Sequence, residues 1–303
     1  MRRFISIVMV LIIPIRLFGA ESTAGKTGMA FLKIGVGGRA VGMGEAYTAV
    51  SSDASAAYWN PAGLAGLAET ELTFTHNQWL QDVKHNFFAV AFATDKHHFG
   101  LSFISNNING IERRVKPSAD PIGLVEAHDI AVGFSYARPF GKTLHIGLTL
   151  KYLYERIYIE SAAGGAIDFG CIYSPAAFSG LQLGLTLQNI GKMSELKEEA
   201  IKLPQTMRLG VAYFIPKELA RGRLLFAADI VKLLDGNFHT NVGFEFKFRE
   251  VLSLRGGYRT GWEEKGWNVG FGFAYTRYAL DYGYAPFSSD LGSSHRISFS
   301  VRL

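Results

Sequence analysis

The stretch Gly35-Val36-Gly37-Gly38-Arg39-Ala40 has the spacing of a GxGxxA dinucleotide fingerprint, and Asp53 follows where a ribose-binding carboxylate would stand. In that chemistry glycines let backbone N–H groups at a helix N-terminus approach a pyrophosphate. The fingerprint also needs a strand before it, a helix of several turns after it and a second parallel strand. Only a few residues separate Ala40 from the Tyr47–Val50 run, and no alternating helices follow to cover a parallel sheet. The glycines are therefore read as sites of close backbone packing, and no cofactor is expected.

Metal and nucleophile chemistry fare no better. The eight histidines are scattered, and the adjacent His97 and His98 would point to opposite faces of a strand, so they cannot share one ion. His76, His85 and His295 fall near strand ends or loops. Cys171 is the single cysteine, which excludes a CxxC site and a disulfide framework. No spacing pairs a nucleophile with its base, so the chain is not expected to be an enzyme.

A third set of residues is more informative. Asp168, Arg208, Glu245, Lys247, Arg255, Asp281, Arg296 and Arg302 all fall on the small or polar side of segments whose other side is apolar. Charges on the inner face of a closed sheet must be hydrated or paired. Two readings stand: a network that docks a plug against the wall, or a set of groups that meets cargo.

The elements that would position these residues follow from composition. A chain of 303 residues that is 48% hydrophobic, 13% aromatic and 19% charged is not a disordered segment. The mixture of 34 Gly with 23 Phe and 13 Tyr suits strands. Arg2 and Arg3, the apolar run Phe4–Ile15 and the small residues of Phe18-Gly19-Ala20 read as an export signal over residues 1–20. Removing it takes away Arg2, Arg3 and Arg16, so the formal charge falls from +5 to +2. No Lys/Arg stripe survives elsewhere, and nucleic acid is excluded as a partner.

Residues 21–68 then form an N-terminal segment, rich in Gly and Ala from residue 25 onward and without strand alternation, and residues 69–303 alternate apolar with small or polar side chains. The clearest run is Trp267–Thr276, where Trp267, Val269, Phe271, Phe273 and Tyr275 alternate with Asn268, Gly270, Gly272, Ala274 and Thr276. Fourteen such segments are predicted, at 70–76, 86–94, 97–106, 127–137, 143–154, 165–174, 180–190, 205–214, 222–231, 238–248, 251–259, 267–276, 277–285 and 294–303. Connections are expected to be long at 77–85, 107–126, 155–164, 191–204, 260–266 and 286–293 and short between, with 215–221 and 232–237 breaking the rhythm. An even strand number, alternation and a long–short beat predict an all-β fold, a transmembrane antiparallel β-barrel of about 14 strands with the N-terminal segment as a plug inside the lumen. The outer membrane of a diderm bacterium is the expected location, with its lipid as a partner.

The segments Gly37–Val50 and Ser52–Leu64 carry a resemblance. Gly-Arg-Ala-Val-Gly-Met-Gly at 38–44, and Asp53-Ala54-Ser55 followed by Tyr58-Trp59-Asn60-Pro61-Ala62, are similar to the N-terminal signature of the PorV/PorQ family of FadL-like outer-membrane proteins. The match singles out Gly42, Gly44, Asp53, Trp59, Asn60 and Pro61 as a hatch motif. It implies a fourteen-stranded barrel with an N-terminal hatch. For function it implies a gated channel for hydrophobic small molecules, or alternatively an accessory or docking barrel of type IX protein secretion with secretion-system proteins as partners. A barrel-type outer-membrane enzyme is a third and weaker reading.

Overall fold

The computed structural model describes residues 27–80, 83–117, 120–262, 266–288 and 292–303. The expected export signal, and residues 21–26 of the N-terminal segment, lie outside these. Fourteen antiparallel strands close on themselves: β1 Glu71–Gln78, β2 Lys84–Phe92, β3 His98–Arg113, β4 Gly123–Phe140, β5 Leu144–Ile157, β6 Glu160–Tyr173 and β7 Leu181–Met193, then β8 Thr206–Phe214, β9 Gly222–Leu233, β10 Phe238–Phe248, β11 Leu252–Thr260, β12 Trp267–Tyr275, β13 Tyr278–Pro286 and β14 Ser293–Arg302. Each strand pairs with its sequence neighbour, and β14 returns to β1 with Phe74 opposite Phe299 and Thr75 opposite Ser298. Closure removes every sheet edge, which a hydrocarbon surround requires because it offers no partner to an open N–H or C=O.

The two faces of the wall differ as alternation dictates. Leu101, Phe134, Leu150, Phe244, Phe271 and Phe299 belong to a belt of exposed large apolar side chains around the outside. So much contiguous apolar exposure marks a lipid-facing surface. The inner positions carry Gly, Ser, Thr and paired charges; Thr75 Oγ1 and Ser298 Oγ lie 2.8 Å apart across the closing seam. No helix among the described residues is long and apolar enough to cross a membrane.

Wall height differs from the sequence reading on one side. Strands β3 to β6 run 16, 18, 14 and 14 residues. The expected loop 107–126 is thus largely strand, and the expected loop 155–164 shrinks to the two-residue turn Tyr158-Ile159. Ser161, Ala162, Ala163, Gly164 and Gly165 have little strand propensity alone, yet they pair in register with β5, Tyr154 opposite Ala163. Pairing with the Tyr152-Leu153-Tyr154 stretch of β5 overrides local propensity here. The seven-residue connection 215–221 and the four-residue connection 234–237 keep the expected break in rhythm.

The N-terminal segment occupies the lumen. It comprises a 3₁₀ turn Ala30–Lys33, single helical turns at Gly38–Gly42 and Ala56–Trp59, and a 3₁₀ stretch Pro61–Gly66. The hydrophobic core sits inside the barrel: Phe31, Val36, Met43, Tyr47, Trp59 and Leu64 pack with inward Phe87, Ala89, Leu153 and Leu225. Helices this short are stabilised by the wall and not by their own propensity.

Candidate functional site

The wall meets the plug through a band of missing side chains. A Cβ added at Gly257 would fall 2.2 Å from Gly44 N, at Gly243 2.1 Å from Met43 O, at Gly184 2.6 Å from Thr48 O, at Gly147 2.3 Å from Pro61 C and at Gly170 2.1 Å from Asn60 Oδ1. The plug backbone therefore lies directly on the wall backbone at each of these places. On the plug side Gly42 rests on Gly270, and Gly44, at φ +64, turns the chain where Tyr258 N and Val242 O leave no room for a side chain.

Between these contacts stand charge-assisted bonds. Arg39 reaches Glu245 through Nε and Nη2, both at 2.9 Å. Glu245 also accepts from Arg255 Nε at 2.6 Å, and Arg255 Nη1 continues to Asp281 at 2.6 Å. Asp229 accepts the backbone N–H of Tyr47 and of Thr48 at 3.0 Å and the Thr48 hydroxyl at 2.7 Å, which fastens this part of the plug to β9. Glu45, fully buried in a left-handed conformation (φ 60), faces Arg259 at 2.8 Å and Arg296 at 3.4 Å. Glu71 takes Ala54 N at 3.0 Å and pairs with Arg302 at 3.1 Å.

Asn60, Trp59 and Asp53, three of the residues singled out as a hatch motif, also bond in this region. Asn60 Oδ1 accepts Ala62 N at 3.2 Å, capping the 3₁₀ stretch that Pro61 begins, while Nδ2 donates to Thr48 O at 2.7 Å and to the wall at Cys171 O at 3.2 Å. Trp59 Nε1 donates to Val36 O at 3.0 Å, and Arg208 lies over its ring at 5.0 Å. Asp53 accepts from Ser55 N at 3.0 Å and from the Tyr47 and Ser55 hydroxyls. Burial holds the Tyr47 phenol well above its ordinary pKa, so it stays a proton donor to Asp53.

Six of the eight lumen charges named from sequence touch the plug or support a residue that does: Arg208, Glu245, Arg255, Asp281, Arg296 and Arg302. Asp168 instead pairs with Lys151 at 2.5 Å and accepts Asn189 N at 2.7 Å, pinning a β-bulge between β6 and β7. Lys247 is a correction to the lumen network. It is drawn to Glu250 of the β10–β11 turn at 3.0 Å, which also binds Arg223. Sequence reasoning missed Glu45, Arg259, Asp229 and Asn241. Arg259 shares the phase of Arg255 and Gly257, and Asp229 that of Leu225 and Ala227, so strand phase alone could have found those two.

A cavity of ≈ 570 Å³ opens above the plug at the end of the barrel opposite Glu71 and Arg302. Its floor is Gly28–Phe31 with Lys33 and Ile34; its walls are Trp79, Val83, Ile108, Ala127, Ile157, Leu233 and Trp262, with Asn106, Asp129, Glu155, Asn237 and His239 among them. The His239 and Trp262 rings stack at 3.8 Å, and Trp262 Nε1 donates to Asn241 Oδ1 at 3.1 Å. Burial lowers the Lys33 ammonium from its ordinary pKa. A mostly apolar, partly enclosed space of this size suits a small hydrophobic molecule. Among the described residues no cluster of three or more His, Cys, Asp or Glu is arranged to hold a metal.

Comparison with known proteins places this geometry in context. Residues 18–166 match the model of the Uncharacterised protein family (UPF0164). No curated protein matches the chain in sequence. Among solved structures it is similar to the CymD monoaromatic hydrocarbon channel, with TM-score 0.67 and 12% identity over 89% of this chain and 98% of that one. It is also similar to the Ralstonia pickettii toluene transporter TbuX, with TM-score 0.63 and 12% identity over 89% and 98%. A Pseudomonas aeruginosa FadL homologue gives TM-score 0.53 and 12% identity over 86% and 96%. The chain thus shares the fold of these structures.

Proposed function

We propose that the protein is an outer-membrane channel of a diderm bacterium, not an enzyme, that admits small hydrophobic molecules into its upper cavity and passes them by displacement of the N-terminal hatch. The observation that carries this reading is the cavity itself: mostly apolar, walled by the upper strand ends and floored by the first hatch residues. The shared fold with proteins described as hydrocarbon channels and toluene transporters supports it. The hatch is seated on glycines and held by discrete polar bonds, an arrangement in which a ligand pressing on Gly28–Ile34 has a separable body to move.

The test is uptake of a small aromatic hydrocarbon by cells or proteoliposomes carrying the protein, compared with a Trp262→Ala, Phe31→Ala variant. Faster uptake than in protein-free controls, reduced several-fold by the variant, is expected. Uptake equal to controls would remove the reading. A docking role in type IX secretion, suggested by the PorV/PorQ-like signature, draws on one observation: Val115, Ile122, Leu124 and Ile159 are exposed at the top of the tall β3–β6 wall. Co-purification of secretion components, lost on substituting these four by Ser, would favour that alternative.

A further inference from the structure

Resting on the channel reading, one side of the cavity carries more information than its size. Asn106, Asp129 and Glu155 stand on three adjacent strands in direct register, Asn106 opposite Asp129 and Asp129 opposite Glu155, all on the lumen face and all lining the cavity. Two carboxylates placed directly across a strand pair repel each other, so the sheet gains nothing from this pairing. Asn106 Nδ2 donates to Asp129 Oδ2 at 3.0 Å. That leaves Asn106 Oδ1, in a side chain only 3% exposed, without a hydrogen-bond partner among the described residues. Asp129 is itself only 8% exposed. The wall therefore presents acceptors: a buried amide oxygen and two carboxylates.

Three of the nearby basic side chains are engaged elsewhere, and Lys33 is not. Lys151, four residues before Glu155 on the same face, is bound to Asp168. Arg296 pairs with Glu45 and lies over the Trp79 ring at 5.1 Å. His128, beside Asp129, points to the other face and bonds Asn107 and Glu126. Lys33, on the cavity floor, forms no ion pair with either carboxylate among the described residues, and one ammonium against two carboxylates would still leave an excess negative charge. Across the lumen, at the end of β11, the Trp262 ring stacked on His239 completes the lining.

We infer that the cavity selects small apolar molecules bearing a protonated amine, whose N–H groups meet Asp129, Glu155 and the Asn106 oxygen while the body lies against Phe31, Ile34 and Trp262. An anionic amphiphile of the same shape would be disfavoured by the same two carboxylates. Lys33 competes with the ligand's ammonium for the wall.

The experiment uses the purified full-length protein in neutral detergent and three matched probes: 2-phenylethylamine, 2-phenylethanol and phenylacetate, titrated calorimetrically at neutral pH. The amine should bind about tenfold or more tightly than the alcohol, as expected for a hydrogen bond to a charged group, and phenylacetate weakest. Glu155→Gln should lower amine affinity severalfold, and Asp129→Asn with Glu155→Gln should bring it to the alcohol's level, with alcohol binding unchanged; Lys33→Met should raise amine affinity. The half-buried Glu155→Gln and the three-probe ranking on unaltered protein need no disruptive change, so a misfolded double variant does not shelter the inference. Phenylacetate binding as well as the amine, or an amine affinity indifferent to Glu155→Gln, overturns it while alcohol binding leaves the channel reading standing. Binding of none of the three overturns both.

Discussion

Arg39 of the hatch and Glu245 of β10 form a two-pronged pair, Nε and Nη2 each 2.9 Å from the carboxylate, across 206 residues of sequence. The pair joins two bodies that share no covalent neighbour near the contact. Arg255 holds the same carboxylate from the next strand and is itself held by Asp281. Glu245 is thus fixed before Arg39 arrives, and removing Arg39 costs hatch docking without leaving the wall carboxylate unpaired.

Arg39→Met should therefore loosen the hatch and spare the barrel. Loss of charge-assisted bonds of this kind costs about 2 kcal/mol, which is roughly a 30-fold rise in the undocked population. Planar-bilayer recordings should show more frequent open events, while the heat-modifiable band on unboiled gels persists. A conductance trace identical to the unaltered protein would mean that Arg39 does not hold the hatch.

The glycine band gives a sharper test because it acts from the wall. Gly257→Ala would place a methyl 2.2 Å from Gly44 N and 2.4 Å from Met43 C, a collision with backbone that no rotamer relieves. Alanine itself is acceptable in a strand, so the barrel should assemble and the hatch should be displaced, read as raised conductance and as protease cleavage within residues 28–67. Gly123→Ala, with nothing within 4 Å, is the control and should behave as the unaltered protein. Equal behaviour of the two variants would contradict the seating described here.

How much of this could be read from the sequence depends on which solvent each residue faces. The wall was legible because lipid on one side and plug on the other enforce a period of two, as in Trp267–Tyr275, and the strand count of fourteen followed. Strand ends at 107–113 and 160–164 were not, since Asn, Gly and Ala there are held by neighbours on β4 and β5 and not by their own preference. The charges were legible as a face but not as pairs. Lys247 shares the phase of Glu245 yet lies near enough to Glu250 to be captured by the turn. Glu45 was invisible because its partners Arg259 and Arg296 come together only when the barrel closes around the plug. The cavity carboxylates Asp129 and Glu155 lay in segments first read as strand start and loop, so their direct pairing depended on the extended register.

The lipid-facing assignment makes its own prediction. Leu150, midway along β5, is half exposed among Phe134 and Ile167 on the flanking strands. Leu150→Arg should destabilise the barrel by about 2–4 kcal/mol, the cost of an arginine near the bilayer midplane. The band on unboiled gels should convert at a lower temperature, or assembly should fail. Thr149→Ala, on the lumen face one residue away, should have a far smaller effect. If Leu150→Arg assembles with unchanged resistance, the outer belt does not face lipid.

Asn60 and Pro61 bring the hatch argument to one point. Asn60 bonds in three directions: it caps Ala62 N, ties back to Thr48 O, and reaches Cys171 O on β6. Asn60→Ala removes the cap, worth roughly 0.5–2 kcal/mol, along with the bond to the wall. Pro61→Gly adds the entropy of a freed φ at the start of the turn, about 0.4–1 kcal/mol. Neither residue belongs to the strand ladder, so the closed wall keeps its hydrogen bonds. The double variant should give a heat-modifiable barrel that leaks, seen as greater sensitivity of cells to small antibiotics normally excluded. Loss of the folded band would instead make the motif part of barrel assembly, because it would show that β5 and β6, whose Gly147 and Gly170 lie against Pro61 and Asn60, close only around a formed hatch. The two outcomes separate a gate from a folding template.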